Sequence, residues 1–299
     1  MDMSSPSRTA PLRGSRIAPL QIALALAAML AFCVSDVLAK LLAPAMPPLE
    51  VAWFRYLGGI IILVPILLRQ RLRLRSARPA VQIVRGVCML GATWLLIAAV
   101  QRMPIAEATT LVFVSPIFVT ILSATLLGEK VSALRIACVV LGLAGVVLIV
   151  RPDPSGMDAA WLLPVGSAVC WALAMVLTRV TQAEGDSFMT TLAFAAFSGF
   201  AILCLALPSF FVMPSMGELV TACAMSLSWI AAQVAVLAAY RIGRVADVAP
   251  FAYSQIIWAV ILGYLVFSDL PDLLTLAGCA IVIASGVAAA REPQRAETS

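Results

Sequence analysis

The sequence predicts an all-α polytopic membrane protein whose ten transmembrane helices form two inverted five-helix repeats. Apolar stretches fill the chain almost from end to end, and charged positions in the first half recur in the second. Hydrophobic residues make up 63% of the 299 residues and charged residues only 12%, with a mean hydropathy of +1.04. A soluble domain carries about 25% charged residues. The composition therefore excludes an ordinary soluble fold.

Ten apolar stretches are each long enough to cross a bilayer, because a helix of ~20 residues matches the ~30 Å hydrocarbon core. Short connections rich in proline separate them. The first stretch is too long for the hydrophobic region of a signal peptide and nine more follow, so we expect an uncleaved helix. The expected spans are 17–42, 48–68, 80–101, 106–127, 131–150, 159–180, 188–208, 217–240, 245–267 and 272–290.

Basic residues set the orientation of these spans, since lysine and arginine concentrate on the cytoplasmic side of a membrane. Placing the arginine-rich connection 69–78 in the cytoplasm puts sixteen of the twenty basic residues on that side. Both termini then lie there too, as cytoplasmic tails at 1–16 and 291–299. Because the basic residues sort by membrane side, no nucleic-acid partner is expected.

An internal repeat relates residues 17–151 to residues 152–290. Two acidic residues of the first half have acidic counterparts in the second half at the same spacing, which we call the repeat offset. A basic residue recurs at almost the same spacing. The matched positions are Glu107, Glu129 and Lys40 in the first repeat and, in the same order, Asp247, Asp269 and Arg179 in the second. Five spans per repeat is an odd number, so the second copy is inverted. This arrangement is typical of secondary transporters, with a substrate site near the midplane.

Three segments give the chain a resemblance to the EamA-type members of the drug/metabolite transporter superfamily. They are Trp53–Tyr56 in the second span, Leu126–Lys130 after the fourth and Gly142–Val146 in the fifth. The second repeat departs mildly, with Ser268-Asp269 where the family has Gly-Glu. The resemblance covers nearly the whole chain. It implies a carrier in a bacterial-type inner (plasma) membrane, often an exporter of amino acids or other metabolites.

Two charged residues inside the first two spans are candidate substrate ligands. Charges within a span cost ~2.5–3.5 kcal/mol on insertion scales and usually face a cavity or a partner. Asp36 could bind a cationic group or a proton, and Arg55 could bind a carboxylate. The alternative is a structural ion pair that joins the first two helices.

Aromatic and amide residues cluster at the middle depth of several spans. Tryptophan normally favours the membrane interface, so central indoles predict a lined cavity in which each N–H needs a partner. The alternative is hydrogen bonding between packed helices. The candidate cavity residues are Trp94, Trp171, Trp229, Gln233, Tyr253, Gln255 and Trp258.

Residues at the ends and middle of the fourth and ninth spans are candidates for conformational roles. Glu107 and Asp247 could form gating contacts, or could simply complement helix dipoles at their span ends. Pro116 lies at the centre of the fourth span, where it could act as a hinge or as a static bend.

The motif content narrows the class of function. The sequence has no phosphate-binding loop, no histidine, and no HExxH or GxSxG motif. We therefore expect neither an enzyme nor a bound cofactor or metal. The expected partners are the lipid bilayer and a small-molecule substrate, and the glycines of the fifth and tenth spans could form a homodimer contact.

The leading hypothesis is a secondary transporter that exports a small polar metabolite, an amino acid or derivative, by alternating access. A larger metabolite such as riboflavin or S-adenosylmethionine, moved by uptake or exchange, is an alternative. A channel or a structural membrane protein is the alternative from a different class.

Overall fold

A computed structural model describes residues 19–70, 75–128, 132–150, 159–242 and 249–291, and within those ranges it contains helices and no strand. The α-helices are α1 (Pro19–Leu41), α2 (Pro48–Gln70), α3 (Pro79–Val100), α4 (Ile105–Val112), α5 (Ser115–Leu127), α6 (Ala133–Val150), α7 (Leu162–Ala183), α8 (Phe188–Ala206), α9 (Met216–Ile242), α10 (Ser254–Phe267) and α11 (Leu273–Arg291). Short 3₁₀ segments precede α7 and α10 and follow α8.

Eight helical segments of the described chain are long and apolar enough to cross a membrane. They coincide with eight of the ten predicted spans. The fifth and tenth predicted spans contain shorter apolar stretches, Ile136–Val150 and Leu273–Ala289. The prediction of an all-helical, multi-pass membrane protein is thus confirmed.

Proline and left-handed caps set many helix boundaries. Proline is the first residue of α1, α2 and α3, a position where its missing N–H costs nothing. Gly128 ends α5 with φ 69°, and Ser268 ends α10 with φ 58°. Such a left-handed residue lets orphan carbonyls at the helix end accept hydrogen bonds.

The predicted fourth span is broken into two helices. The chain turns at Phe113–Val114 between α4 and α5, and Pro116 is the second residue of α5. Because proline lacks an N–H, it fits the first turn of a new helix. The predicted ninth span is divided in a similar way, into a 3₁₀ segment (Ala249–Tyr253) followed by α10. Whether Pro116 acts as a moving hinge stays a prediction.

Three long helix pairs form the frame of the bundle: α1 with α9, α3 with α7, and α6 with α11. Gly145 and Gly278 let α6 and α11 touch, since a Cβ at either position would lie 2.8–2.9 Å from the other glycine's carbonyl oxygen. Small residues commonly allow such contact in membranes. These two glycines, considered above for a homodimer, therefore face each other within the chain.

Candidate functional site

A charged cluster joins α1, α2 and α10 inside the bundle. Arg55 donates from Nη2 to Asp36 Oδ1 at 3.2 Å and to Ser35 Oγ at 3.0 Å. Gln255 donates from Nε2 to Asp36 Oδ2 at 3.3 Å. Asp36 and Arg55 are each only 3% exposed. The predicted ligands Asp36, Arg55 and Gln255 thus lie together, with two of them in an ion pair.

Several polar atoms near this cluster have no hydrogen-bond partner among the described residues. They are Arg55 Nε and, on α10 beside Gln255, Ser254 Oγ and Trp258 Nε1. Buried polar groups are nearly always paired with protein or water. The cluster therefore has unused hydrogen-bonding capacity in addition to a carboxylate and a guanidinium.

The indole of Trp171 lies on an otherwise buried side of α7. It is 40% exposed, whereas Ser167, Ala168 and Ala174 on that side are at most 1% exposed. The hydroxyl of Ser167 donates to the Ala92 carbonyl of α3, which fixes this side of α7 against its neighbour. The indole of Trp171 is therefore accessible although its neighbours on this side of the helix are packed.

Trp94 has a similar environment on α3. It is 38% exposed, whereas Leu90, Ile97 and Ala98, about one turn before and after it, are at most 8% exposed. The predicted cavity role of Trp94 therefore stays a prediction, as does that of Trp171.

The remaining aromatic and amide candidates are divided among different contacts. Trp229 packs near Gly59 of α2, and Gln233 is partly exposed one turn further along α9. Tyr253 is buried against Phe113, with 5.1 Å between the ring centroids. Trp258 packs on the apolar cluster that contains Cys33 and Ala259. Of these, Tyr253 and Trp258 lie within three residues of Gln255 in the chain.

The predicted gating residues have different outcomes. Glu107 lies in the first turn of α4, where a carboxylate complements the helix dipole, and Asp247 lies outside the described residues. A different ion pair closes one end of the bundle. Lys40 Nζ is 2.8 Å from Asp269 Oδ2 and 4.7 Å from the ring centroid of Phe267. The repeat pattern singled out Lys40 and Asp269 separately and did not predict that they pair.

Arg85 is a second buried arginine, and it was not among the predicted site residues. Its Nε donates to Thr178 Oγ1 at 2.6 Å, and its Nη1 donates to the Thr191 carbonyl at 2.8 Å. It is 6% exposed. The available signal was its position inside a span, the same criterion that selected Asp36 and Arg55.

A polar cluster at the α7–α8 connection lies outside the spans. Asp186 accepts hydrogen bonds from Ser76 Oγ, from Gln82 Nε2 at 2.7 Å and from the Ala77 amide at 3.1 Å. Burial alone would raise the pKa of Asp186, but these hydrogen bonds to the charged form outweigh it and lower the pKa below its usual value. This cluster ties the end of the 71–78 connection to α8.

Charged groups held inside a multi-pass helical bundle often mark a substrate or ion pathway. In a comparison with known proteins, residues 19–151 match the EamA-like transporter family. The matched region runs from the start of α1 to the end of α6.

Relatives over most of the chain are named as metabolite transporters. An S-adenosylmethionine uptake transporter of Rickettsia bellii is 24% identical, in an alignment that covers 83% of this chain and 86% of the relative. The pseudopaline exporter CntI of Pseudomonas aeruginosa is 26% identical, covering 90% and 95%. A riboflavin transporter of Vibrio cholerae is 29% identical, covering 89% and 92%. One solved crystal structure shares the fold, with a TM-score of 0.62 at 20% identity, over 90% of this chain and 96% of that one.

Proposed function

We propose that this protein is a secondary transporter of a bacterial-type inner membrane that exports a small polar metabolite, an amino acid or derivative, by alternating access. In this proposal two inverted five-helix repeats, 17–151 and 152–290, rock around a central site, and both termini are cytoplasmic. The observation that carries the proposal is the buried Asp36–Arg55 ion pair of the first repeat, which Gln255 of the second repeat contacts.

Two packing contacts support the inverted repeat. Their positions are related by the repeat offset, which is the spacing between Glu107 and Asp247. Gly58 of α2 packs directly against Ser226 of α9. The matched pair has the residue types reversed, with Ser198 of α8 against Gly86 of α3. A two-fold relation between the halves produces such reciprocal pairs, whereas chance similarity between apolar helices does not.

The helix arrangement supports the same relation on a larger scale. If α6 and α11 are counted as the fifth and tenth spans, the pairing of α1 with α9 corresponds to the pairing of α7 with α3. The repeat offset also relates the left-handed caps Gly128 and Ser268. It relates Phe113 to Tyr253 as well, and their rings contact each other where the fourth and ninth spans are broken.

The charged cluster fits a zwitterionic substrate. A substrate carboxylate would compete for Arg55 and a substrate cation for Asp36, which replaces one internal ion pair by two substrate pairs. Removing charges from water is costly, and a well-formed pair only partly offsets that cost. An internal pair that can be exchanged in this way keeps both charges neutralised before and after binding. The accessible indole of Trp171 would contact the apolar part of the ligand.

Transport must draw on a gradient, since the sequence lacks a phosphate-binding loop. Proton antiport through a carboxylate is one route, and substrate exchange is another. The Lys40–Asp269 pair links α1 of the first repeat to the residue after the α10 cap in the second. It would therefore have to break when that end of the bundle opens.

A larger metabolite is the second candidate substrate, because relatives are named as transporters of S-adenosylmethionine and riboflavin. S-adenosylmethionine carries a carboxylate and cationic groups that suit Arg55 and Asp36, whereas riboflavin would rely more on aromatic contacts. The relatives include one named for uptake and one named for export. Both directions must therefore be measured.

Proteoliposomes containing the full chain provide the test. A comparison of metabolites in cells lacking and overproducing the protein first selects the labelled probe, and S-adenosylmethionine and riboflavin are included in every panel. We expect saturable uptake that unlabelled substrate on the opposite side accelerates. Linear flux without this acceleration would indicate a channel, and no flux of a metabolite that accumulates in the deletion strain would contradict the proposal.

A further inference from the structure

Arg85 is a buried cation in the half of the bundle opposite Arg55. It lies six residues into α3, about 9 Å along the helix axis from the cytoplasmic end in the proposed orientation. Arg55 lies seven residues into α2, about 10 Å from the other end. The two arginines therefore occupy different depths along the membrane normal.

The charge of Arg85 is not neutralised within the described part of the chain. Its hydrogen-bond partners are the hydroxyl of Thr178 and the carbonyl of Thr191, both of which are neutral. The ion pairs formed among the described residues join Lys40 to Asp269, Arg55 to Asp36 and Arg78 to Glu184, and none of them includes Arg85. An uncompensated buried charge is strongly unfavourable. A guanidinium kept in this state is a ready site for an anion.

The threonine contacts hold the guanidinium and leave part of it free. Arginine has five N–H donors in a planar fork, and the two hydrogen bonds use one at Nε and one at Nη1. Three donors remain for a ligand. The side chain is thus fixed in direction while most of its hydrogen-bonding capacity is unused.

The position of Arg85 connects it to the proposed transport pathway. Its partner Thr178 follows Trp171 by two turns on the same face of α7, and the Trp171 indole on that face is 40% exposed. Tyr56, the residue after Arg55 on α2, is partly exposed, and its hydroxyl hydrogen-bonds Thr93 of α3. Polar groups therefore connect the Asp36–Arg55 pair to α3, the helix that carries Arg85.

We propose that Arg85 is a second anion-binding residue, which takes the carboxylate of the substrate in the cytoplasmic half of the pathway. The identity of the ligand as a transported substrate rests on the proposed function above. The two arginines then have different tasks. Arg55 binds the carboxylate only when its pair with Asp36 is exchanged, whereas Arg85 receives it with no competing acid.

The test uses purified full-length protein in detergent, with acetate as the probe for a carboxylate and chloride at equal ionic strength as the reference. Thermal unfolding is followed for the natural protein, Arg85→Gln and Arg85→Lys. The matched control is Arg78→Gln, which removes an exposed arginine paired with Glu184. We expect acetate to raise the unfolding temperature saturably by about 2–4 °C in the natural protein, Arg78→Gln and Arg85→Lys, and to have no specific effect on Arg85→Gln.

An equal acetate response in Arg85→Gln, or none in the natural protein, would overturn the proposal. If Arg85→Gln does not fold, Arg85→Lys decides, because lysine keeps the charge but cannot keep both threonine contacts. A response retained in the lysine variant supports an anion site, and a lost response indicates a structural clamp. The titration requires no transport, so the anion site and the proposed transport function can fail independently.

Discussion

The two halves of the molecule, which are the two proposed repeats, differ in the chemistry of their buried groups. Among the described residues, the acidic and basic side chains buried inside the spans all belong to the first half. They are Asp36, Glu50, Arg55 and Arg85. The repeat offset matches Arg55 to Ala195 and Arg85 to Met225, and the spacing that relates Lys40 to Arg179 matches Asp36 to Met175.

This difference separates the tasks of the two repeats in the proposed mechanism. Similar packing in both halves gives the bundle two related conformations, which alternating access requires. The charges of one half give the site a direction and a preference for charged substrate groups. The second half contributes neutral groups, such as the amide of Gln255 and the ring of Trp171.

The largest expected effect comes from neutralising the central carboxylate. We expect Asp36→Asn to lower the initial transport rate by about 100-fold, which corresponds to about 2.7 kcal/mol, because a substrate cation would lose the carboxylate that binds it. Counterflow in proteoliposomes measures the rate. Glu184→Gln, which removes the acid of an exposed pair, is the control and should transport normally. A normal rate for Asp36→Asn at every pH would remove Asp36 from the site.

A tryptophan variant tests whether the proposed cavity reaches α7. We expect Trp171→Ala to raise KM about tenfold with little change in unfolding temperature, since the indole would lose ligand contacts worth about 1.4 kcal/mol. Val87→Ala is the control, because Val87 is an exposed apolar side chain of α3 that the proposed cavity does not include. An unchanged KM in Trp171→Ala would remove this residue from the proposed cavity.

Substitutions that remove the Lys40–Asp269 ion pair at the bundle end are expected to have a smaller effect on transport. Partly exposed ion pairs contribute about 0.2–1 kcal/mol, so Lys40→Gln or Asp269→Asn should change transport rates by no more than about fivefold. If the pair acts as a gate, the double variant should resemble either single variant. Additive effects in counterflow assays would show that the two residues act separately.

The smallest expected effect concerns the Asp186 cluster at the α7–α8 connection. The folded protein holds the pKa of Asp186 below its usual value, so the carboxylate stabilises the fold at neutral pH. This contribution is lost as the pH falls through the lowered pKa. We expect Asp186→Asn to unfold at a lower temperature than the natural protein at pH 7, and the difference to shrink below pH ~4. A difference that grows on acidification would contradict this origin.

The sequence was informative wherever one local property decided the structure. Apolar length located the spans, and the charge rule selected Asp36 and Arg55, which meet in an ion pair. Contacts between distant residues were not accessible, as with the Lys40–Asp269 pair, whose members are separated by 229 positions.

The proposed mechanism requires two repeats that lie inverted in the membrane around the charged site. Reporter fusions after Arg75 and after Ser215, two positions that the repeat offset relates, test this arrangement. Inverted repeats predict a fluorescent cytoplasmic reporter after Arg75 and an active periplasmic alkaline phosphatase after Ser215. Reporters that place both positions on the same side of the membrane would contradict it.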